Sequence, residues 1–259
     1  MRGRSLLSVA VTAILWTYFI GTFLLGYWVV FLVAGVLRRR RGIAWALATY
    51  QRGFFFLLRT TIPGLRFEVP TKGELRSLRG TVIVCNHISF LDPILLMSLF
   101  PDVISIVRPD FFRVPIFGWL LRGAGFLGPD LFAEGQVWIA RVEHHLRTGG
   151  NLLVFPEGTR SRDGQLAPFK KGAFFLARHL AAPIVVMRIT GTNTIFGPGR
   201  LSFNVSRGQC IRVERLSVIA ADQSANETTY ELCKRVRDFF VEPASSRISA
   251  CPLGTRSPC

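Results

Sequence analysis

Between Leu6 and Leu37 the chain carries no charged side chain, whereas beyond residue 80 its apolar residues fall into short runs separated by longer mixed stretches. The first pattern suits a membrane segment, because a helix needs about 20 apolar residues to cross a bilayer. At about 1.5 Å per residue, one straight helix over this run measures about 48 Å and overshoots the hydrocarbon core. Two arrangements absorb the surplus: a tilted transmembrane helix, or a hairpin broken at Gly21 and Gly26 that enters and leaves the same leaflet. A cleaved leader fits less well, since its apolar region spans about 7–15 residues and does not end in arginines. Residues 43–60 are aromatic and apolar, with Arg52 and Arg59 as their charges. They read as a helix lying at a membrane interface, the alternative being an ordinary core helix.

The second pattern predicts alternating strands and helices. Strands are expected at 81–85, 103–107, 151–155, 184–190, 201–205 and 210–214, and helices at 93–100, 115–124, 134–147, 170–180 and 226–240. Such alternation argues for an α/β fold with a mixed, mostly parallel sheet flanked by helices. The last two runs have no helix between them, which predicts one antiparallel sheet edge. The chain thus divides into an anchor and interfacial helix (1–60), an α/β domain (61–242) and a Pro-, Ser- and Gly-rich tail (243–259) expected to be disordered.

Charge sharpens the membrane reading. The net charge is +16, and 49% of residues are hydrophobic. Arg38 to Arg41 follow the apolar run directly, against Arg2 and Arg4 before it. The larger cluster stays cytoplasmic by the positive-inside rule and suits an anionic lipid surface. This places the α/β domain on the cytoplasmic face of a cell membrane, the inner membrane in a bacterium. Lysine is confined to positions 72, 170, 171 and 234, and the arginine bias fits phosphate recognition or simply a GC-rich genome. Apart from the 38–41 cluster the basic residues are scattered rather than gathered on a stripe, so no nucleic-acid partner is expected. The cysteines, Cys85, Cys210, Cys233, Cys251 and Cys259, are odd in number and form no Cys-x-x-Cys pair. That argues against a disulfide framework or a zinc site and fits a reducing compartment.

Two constellations carry candidate chemistry. The strand at 81–85 runs into Asn86-His87-Ile88-Ser89-Phe90-Leu91-Asp92-Pro93, and strand C-termini are where ligands sit in α/β sheets. On one continuous helix His87 and Asp92 would lie about 140° apart. Pro93 instead favours the first helical position, with Asp92 as its N-cap, leaving His87 in a loop that can fold back onto the carboxylate. A neutral imidazole can take a proton from an attacking alcohol, typically for about 10²–10⁴ in rate, while a carboxylate fixes its tautomer. The same spacing also fits a helix cap beside an unrelated loop histidine. Asn86 and Ser89 can serve the loop or a substrate. No Gly-x-Ser-x-Gly elbow supplies an enzyme nucleophile, so direct transfer follows.

The second constellation is Phe155-Pro156-Glu157-Gly158-Thr159-Arg160-Ser161 at the end of the 151–155 run, with Arg162, Lys170 and Lys171 after it. A turn offering N–H groups, hydroxyls and a guanidinium suits phosphate capture, and a helix opening at Lys170 and Lys171 reinforces an anion site; a solvated turn with a charged rim has the same composition. Glu157 is unexpected there and is assigned to orient Arg160 or a backbone N–H.

Together, Asn86-His87-x-Ser89-x-x-Asp92 and Phe155 to Ser161 resemble the 1-acylglycerol-3-phosphate acyltransferase family, over about residues 80 to 190. Arg108-Pro-Asp-Phe111 with Arg113-x-Pro115-x-x-Gly118-Trp119 resembles the segment leading to the family's second block, and Ala182 to Val186 its fourth. The resemblance implies an α/β enzyme attached to one leaflet. Its donor would be acyl-CoA or acyl carrier protein and its acceptor a lysophospholipid, with no metal or other cofactor. His87 would be the general base and Asp92 its partner, and Glu157, Gly158 and Arg160 would help bind the acceptor phosphate; from the residues themselves Asn86, Ser89, Thr159, Ser161 and Lys171 are further candidates to line the substrate site. One departure stands out: Gly128-Pro129-Asp130-Leu131 places leucine where the family commonly carries a phosphate-binding arginine. Losing such a charge-assisted bond typically removes about 1.5–3 kcal/mol. Either another arginine, such as Arg122 or Arg141, reaches in, or the acceptor is another lysolipid, such as a lyso-aminolipid, rather than 1-acylglycerol-3-phosphate.

Overall fold

The computed structural model describes residues 6–21, 29, 32–33, 36, 40–115, 117–128, 136–161 and 165–241. Two helices come first, α1 (Leu6–Trp16) and α2 (Arg40–Thr61). A six-stranded sheet follows: β1 (Arg66–Glu68), β2 (Val82–Cys85), β3 (Val103–Ser105), β4 (Asn151–Val154), β5 (Ile184–Thr190) and β6 (Cys210–Ile219), in the spatial order β1-β6-β5-β2-β4-β3. Helices α3 (Lys72–Ser77), α4 (Leu91–Leu99), α5 (Pro109–Arg113), α6 (Phe117–Ala124), α7 (Gln136–Arg147), α8 (Gly172–His179), α9 (Thr192–Ile195), α10 (Ala221–Asn226) and α11 (Thr229–Val241) connect and cover the strands.

The central strands are apolar on both faces because both faces are covered. All four residues of β2 are buried, as are all four of β4. Alternation along each strand divides them between two cores. Ile83, Cys85, Leu153, Val185 and Met187 face one side, packed with Leu15 of α1, Phe54 and Leu58 of α2 and Leu95 of α4. Val82, Val84, Leu152, Val154 and Val186 face the other, with Val142 of α7, Phe174 of α8 and Val236 of α11. The N-terminal helices therefore share a core with the sheet. β2 pairs in parallel with both β4 and β5, and β3 in parallel with β4, so these four strands end on one side of the molecule.

The structure corrects the strand assignment in two places. Residues 201–205 form no strand. Their backbone is held by α1: Ser8 Oγ donates to Phe203 O at 2.8 Å, Trp16 Nε1 to Leu201 O at 2.9 Å, and Phe203 N donates to Thr12 Oγ1 at 3.0 Å. The apolar alternation around Phe203 reflects burial against a helix. The antiparallel pair is β5 with β6, and β6 is not the edge; β1, a strand with charged Arg66 and Glu68, lies outside it in parallel register. Of the expected membrane run, α1 and the turn to Gly21 are described together with isolated later positions, and among the described residues no helix is long and apolar enough to cross a membrane. The tail at 243–259 lies outside the described residues.

Candidate active site

The loops leaving β2, β4 and β5 meet at the common end of the parallel strands. The first carries Asn86 to Asp92. His87 Nδ1 lies 3.0 Å from Asp92 Oδ2. An ionised carboxylate only accepts, so this contact assigns the proton to Nδ1 and leaves a lone pair on Nε2. The Asp92 side chain is fully buried, whereas the His87 side chain keeps 17% of its surface exposed. The imidazole is backed by Phe155, with ring centroids 4.4 Å apart and planes 28° from parallel.

Asp92 does not cap its own helix. α4 begins at Leu91, so Asp92 and Pro93 lie inside the first turn. The Asp92 carboxylate reaches back over the loop instead. Oδ2 accepts from the backbone N–H groups of Ile88 and Ser89, each at 2.7 Å, besides His87. Oδ1 accepts from the hydroxyl of Thr192 at 2.6 Å. The compact 87–92 turn is built around this one side chain, because buried N–H groups must be satisfied.

Asn86 and Ser89 point into the protein. The Asn86 amide exchanges two bonds with the backbone of Ile189 on β5, at 2.8 and 2.9 Å. Ser89 Oγ donates to Phe196 O at 2.6 Å and accepts from Leu91 N at 3.1 Å. Both fasten the His87 loop to its neighbours.

The second loop, after β4, is bonded directly to the first. Glu157 is buried; its Oε1 accepts from His87 N at 3.0 Å and its Oε2 from Ala167 N at 3.1 Å. Of the two tasks assigned from sequence, orienting backbone N–H groups is the one the geometry contains. Ser161 N donates to His87 O at 2.8 Å, so the two loops are joined on both sides of the imidazole. Gly158 has φ +71°, and a Cβ there would meet the Lys170 ammonium at 2.7 Å; glycine leaves the room in which that cation lies across the turn. Thr159 and Arg160 are exposed beside it. Lys171 turns away, its Nζ 5.6 Å from the centre of the Tyr230 ring on α11.

Leu131 and Arg162 lie outside the described residues. Of the arginines considered as replacements at the Leu131 position, Arg122 donates to Phe112 O at 3.1 Å and its guanidinium lies 5.5 Å from the Phe112 ring centre; Arg141 is exposed on α7. Cys85 sits buried beneath the loop, and burial first, then the Asp92 charge, pushes its thiol well above the ordinary range. It stays protonated and is no nucleophile.

Two residues of this site escaped the sequence reading. Phe155, which the apolar pattern makes the last residue of a strand, lies just beyond Val154, the end of β4, and is the ring beneath the imidazole. Thr192 lies 100 residues from its partner. Its signal was present, since Gly191-Thr192 follows an apolar strand as Asn86-His87 follows β2, and strand ends are where polar groups deserve weight.

Comparison with known proteins finds relatives of this chain in sequence and in fold. Residues 66–190 match the family model described as Acyltransferase. The 1-acyl-sn-glycerol-3-phosphate acyltransferase of Saccharomyces cerevisiae is 34% identical over 197 residues, covering 74% of this chain and 63% of that protein. The protein of the same name from Limnanthes douglasii is 31% identical over 201 residues, covering 73% and 68%. The chain spans between about a third and just under two thirds of the length of the curated relatives it matches first. Its fold is that of the 1-acyl-sn-glycerophosphate acyltransferase PlsC from Thermotoga maritima, with a TM-score of 0.71 over 95% of this chain and 98% of that one at 21% identity.

Proposed function

Because the chain belongs to the 1-acyl-sn-glycerol-3-phosphate acyltransferase family, we propose that it transfers a fatty acyl group from a thioester donor to the free hydroxyl of 1-acylglycerol-3-phosphate, forming phosphatidic acid. The donor is acyl-CoA or acyl carrier protein. The observation that carries this reading is the His87–Asp92 pair, its Nε2 without a partner among the described residues and its loop bonded to the cationic turn at 157–161.

In the proposed reaction Nε2 removes the proton of the acceptor hydroxyl as its oxygen attacks the thioester carbonyl. Asp92 stabilises the imidazolium that forms. The tetrahedral intermediate collapses with cleavage of the C–S bond, and the imidazolium returns the proton to the departing thiolate. Base, partner and phosphate-binding cations all come from the chain, so the scheme uses no metal and no organic cofactor. Arg160 and Lys170 hold the acceptor phosphate near the imidazole. The aromatic wall formed by Trp16, Phe19, Phe90 and Phe196 borders the same loop and offers hydrocarbon surface to an acyl chain.

The substrates are lipids, and the surface fits a membrane. Leu6 is 89% exposed on α1 and Phe56 70% on α2. Trp45, Arg52, Phe56 and Arg59 are exposed on α2 beside Thr60 and alternate aromatic with cationic groups, as in helices lying at an interface. We place the chain on the cytoplasmic face of a cell membrane, held by this surface and the basic cluster at 38–41.

The test is turnover. Purified full-length chain in lipid vesicles is offered acyl-CoA or acyl carrier protein donors and a panel of lysolipids, including lysophosphatidic acid and a lyso-aminolipid. Lysophosphatidic acid is expected to be the best acceptor. Arg160→Gln is expected to raise its KM about tenfold, the loss of one charge-assisted bond, and to leave the donor KM within about twofold. A clear preference for the lyso-aminolipid overturns the headgroup assignment. Absence of turnover with every pair overturns the enzyme reading in favour of a basic membrane-binding protein.

A further inference from the structure

We infer that Thr192 is a positioning residue of this site, holding the Asp92 carboxylate in the plane that His87 requires; the inference rests on the His87–Asp92 reading above. The argument begins with the distribution of donors around Asp92. Oδ2 meets three of them, all from residues 87–89 of a single loop. Bonds gathered on one oxygen fix that atom but leave the carboxylate to swing about it. Oδ1 is held from another part of the fold, by the Thr192 hydroxyl at 2.6 Å. Both residues have no exposed surface, so no water competes for the contact.

The surrounding chain is shaped to place that hydroxyl. Gly191 has φ +85°, and a Cβ there would lie 1.8 Å from Cys210 O. Only glycine allows β5 to turn so tightly against β6. Thr192 follows as the first residue of α9, where its backbone O accepts from Phe196 N at 2.9 Å. A β-branched side chain has a stiff χ1, so the hydroxyl is set before a substrate arrives. The end of β5 is tied to the same loop a second time by the Asn86 bonds to Ile189. Thus β5 fixes the position of the loop through Asn86 and the orientation of the carboxylate through Thr192.

The hydroxyl is the group that bonds the carboxylate, and the methyl group adds only stiffness to its placement. Thr192→Val keeps the shape and removes the donor; Thr192→Ser keeps the donor. With full-length chain in vesicles, Thr192→Val is expected to lower kcat about 10- to 100-fold, the range for loss of a hydrogen bond to a charged group, with both KM values within about twofold. Thr192→Ser is expected to stay within about threefold of wild type. The downfield proton resonance of the His87 Nδ1–H, assigned by its absence in His87→Ala, should move in the valine variant and hold its position in the serine variant. Wild-type kcat in Thr192→Val overturns the inference, as does a serine variant no better than valine. So does a loss carried by the folded fraction while the resonance stays in place. His87→Ala runs alongside: full activity there overturns the assignment of the base, whereas an inactive His87→Ala beside a fully active Thr192→Val overturns the role of Thr192 alone.

Discussion

Replacing His87 by alanine should leave a folded protein whose acyl transfer is slower by about 10²–10⁴, the usual contribution of a general base. The structure makes this substitution a clean one. Among the described residues the imidazole touches the fold through one bond to Asp92 and one ring contact with Phe155, and it is partly exposed. Its backbone bonds to Glu157 and Ser161 survive the change. The Asp92 Oδ2 atom keeps both loop N–H donors. The loss should therefore fall on kcat, with acceptor and donor KM values near those of wild type, as expected when an interaction confined to the transition state is removed. Initial rates of phosphatidic acid formation over a range of both substrates check this, with a thermal midpoint to confirm folding. A His87→Ala variant with undiminished kcat would remove the proposed base.

Asp92→Ala should lower activity at least as far and should also destabilise the protein. The backbone N–H groups of Ile88 and Ser89 and the Thr192 hydroxyl would lose their acceptor, and Ser89 and Thr192 have no exposed surface through which water could replace it. A buried donor left unpaired costs about 1–3 kcal/mol. Three of them, partly relieved by rearrangement, amount to about 3–5 kcal/mol, or a fall of about 10 °C in melting temperature for a domain of this size. Asp92→Asn separates the two effects. Its amide oxygen can still accept from the loop, and its NH₂ can donate to Thr192, since a hydroxyl accepts as well as donates. The asparagine variant should melt within a few degrees of wild type yet lose about 10²–10⁴ in kcat, because a neutral amide gives little stabilisation to an imidazolium. Calorimetry together with initial rates distinguishes the outcomes. Near-normal turnover in Asp92→Asn would show that the charge of Asp92 has no part in the reaction.

The contrast between these variants reflects how the site is built. Asp92 organises the turn and bonds the imidazole at once, whereas in the proposed reaction His87 would add chemistry to a turn that stands without it. Glu157 repeats the arrangement on the other side, a buried carboxylate bonded to the backbone of both loops. The cationic turn and the imidazole are thereby held at a fixed separation by side chains that need never touch a substrate. Preorganisation of this kind matters because reacting groups displaced by about 1 Å can lose about 10² in rate.

What could be read along the chain was whatever depended on local pattern. The runs at 82–85 and 184–187 are apolar throughout because they are buried on both faces of the sheet. β1 was not legible, since three residues with two charges give no periodic signal; its pairing with β6 makes it a strand. Residues 201–205 misled for the opposite reason. Phe203 and Val205 look like one face of a strand, but Phe203 is buried against α1, whose side chains take its backbone bonds. Pro93 suggested a helix start two residues late because it marks the first turn and not a position within it. Asn86, Ser89 and Glu157 were recognised as site residues by their place in two motifs, but nothing in those motifs tells a side chain that meets a ligand from one that supports the loop.

By itself, then, the order of residues determined the α/β alternation, the apolar central strands and the two polar segments that end β2 and β4, because each follows from periodicity and turn chemistry within a few residues. Tertiary structure alone decided that His87 and the 157–161 turn share backbone bonds, that Lys170 and not Lys171 lies over Gly158, and that Thr192 completes the Asp92 shell. Those contacts join residues roughly 10 to 100 positions apart. They exist only once strands in parallel register bring their ends to one edge of the sheet, where directional bonds of about 3 Å are formed or lost with the position of each loop.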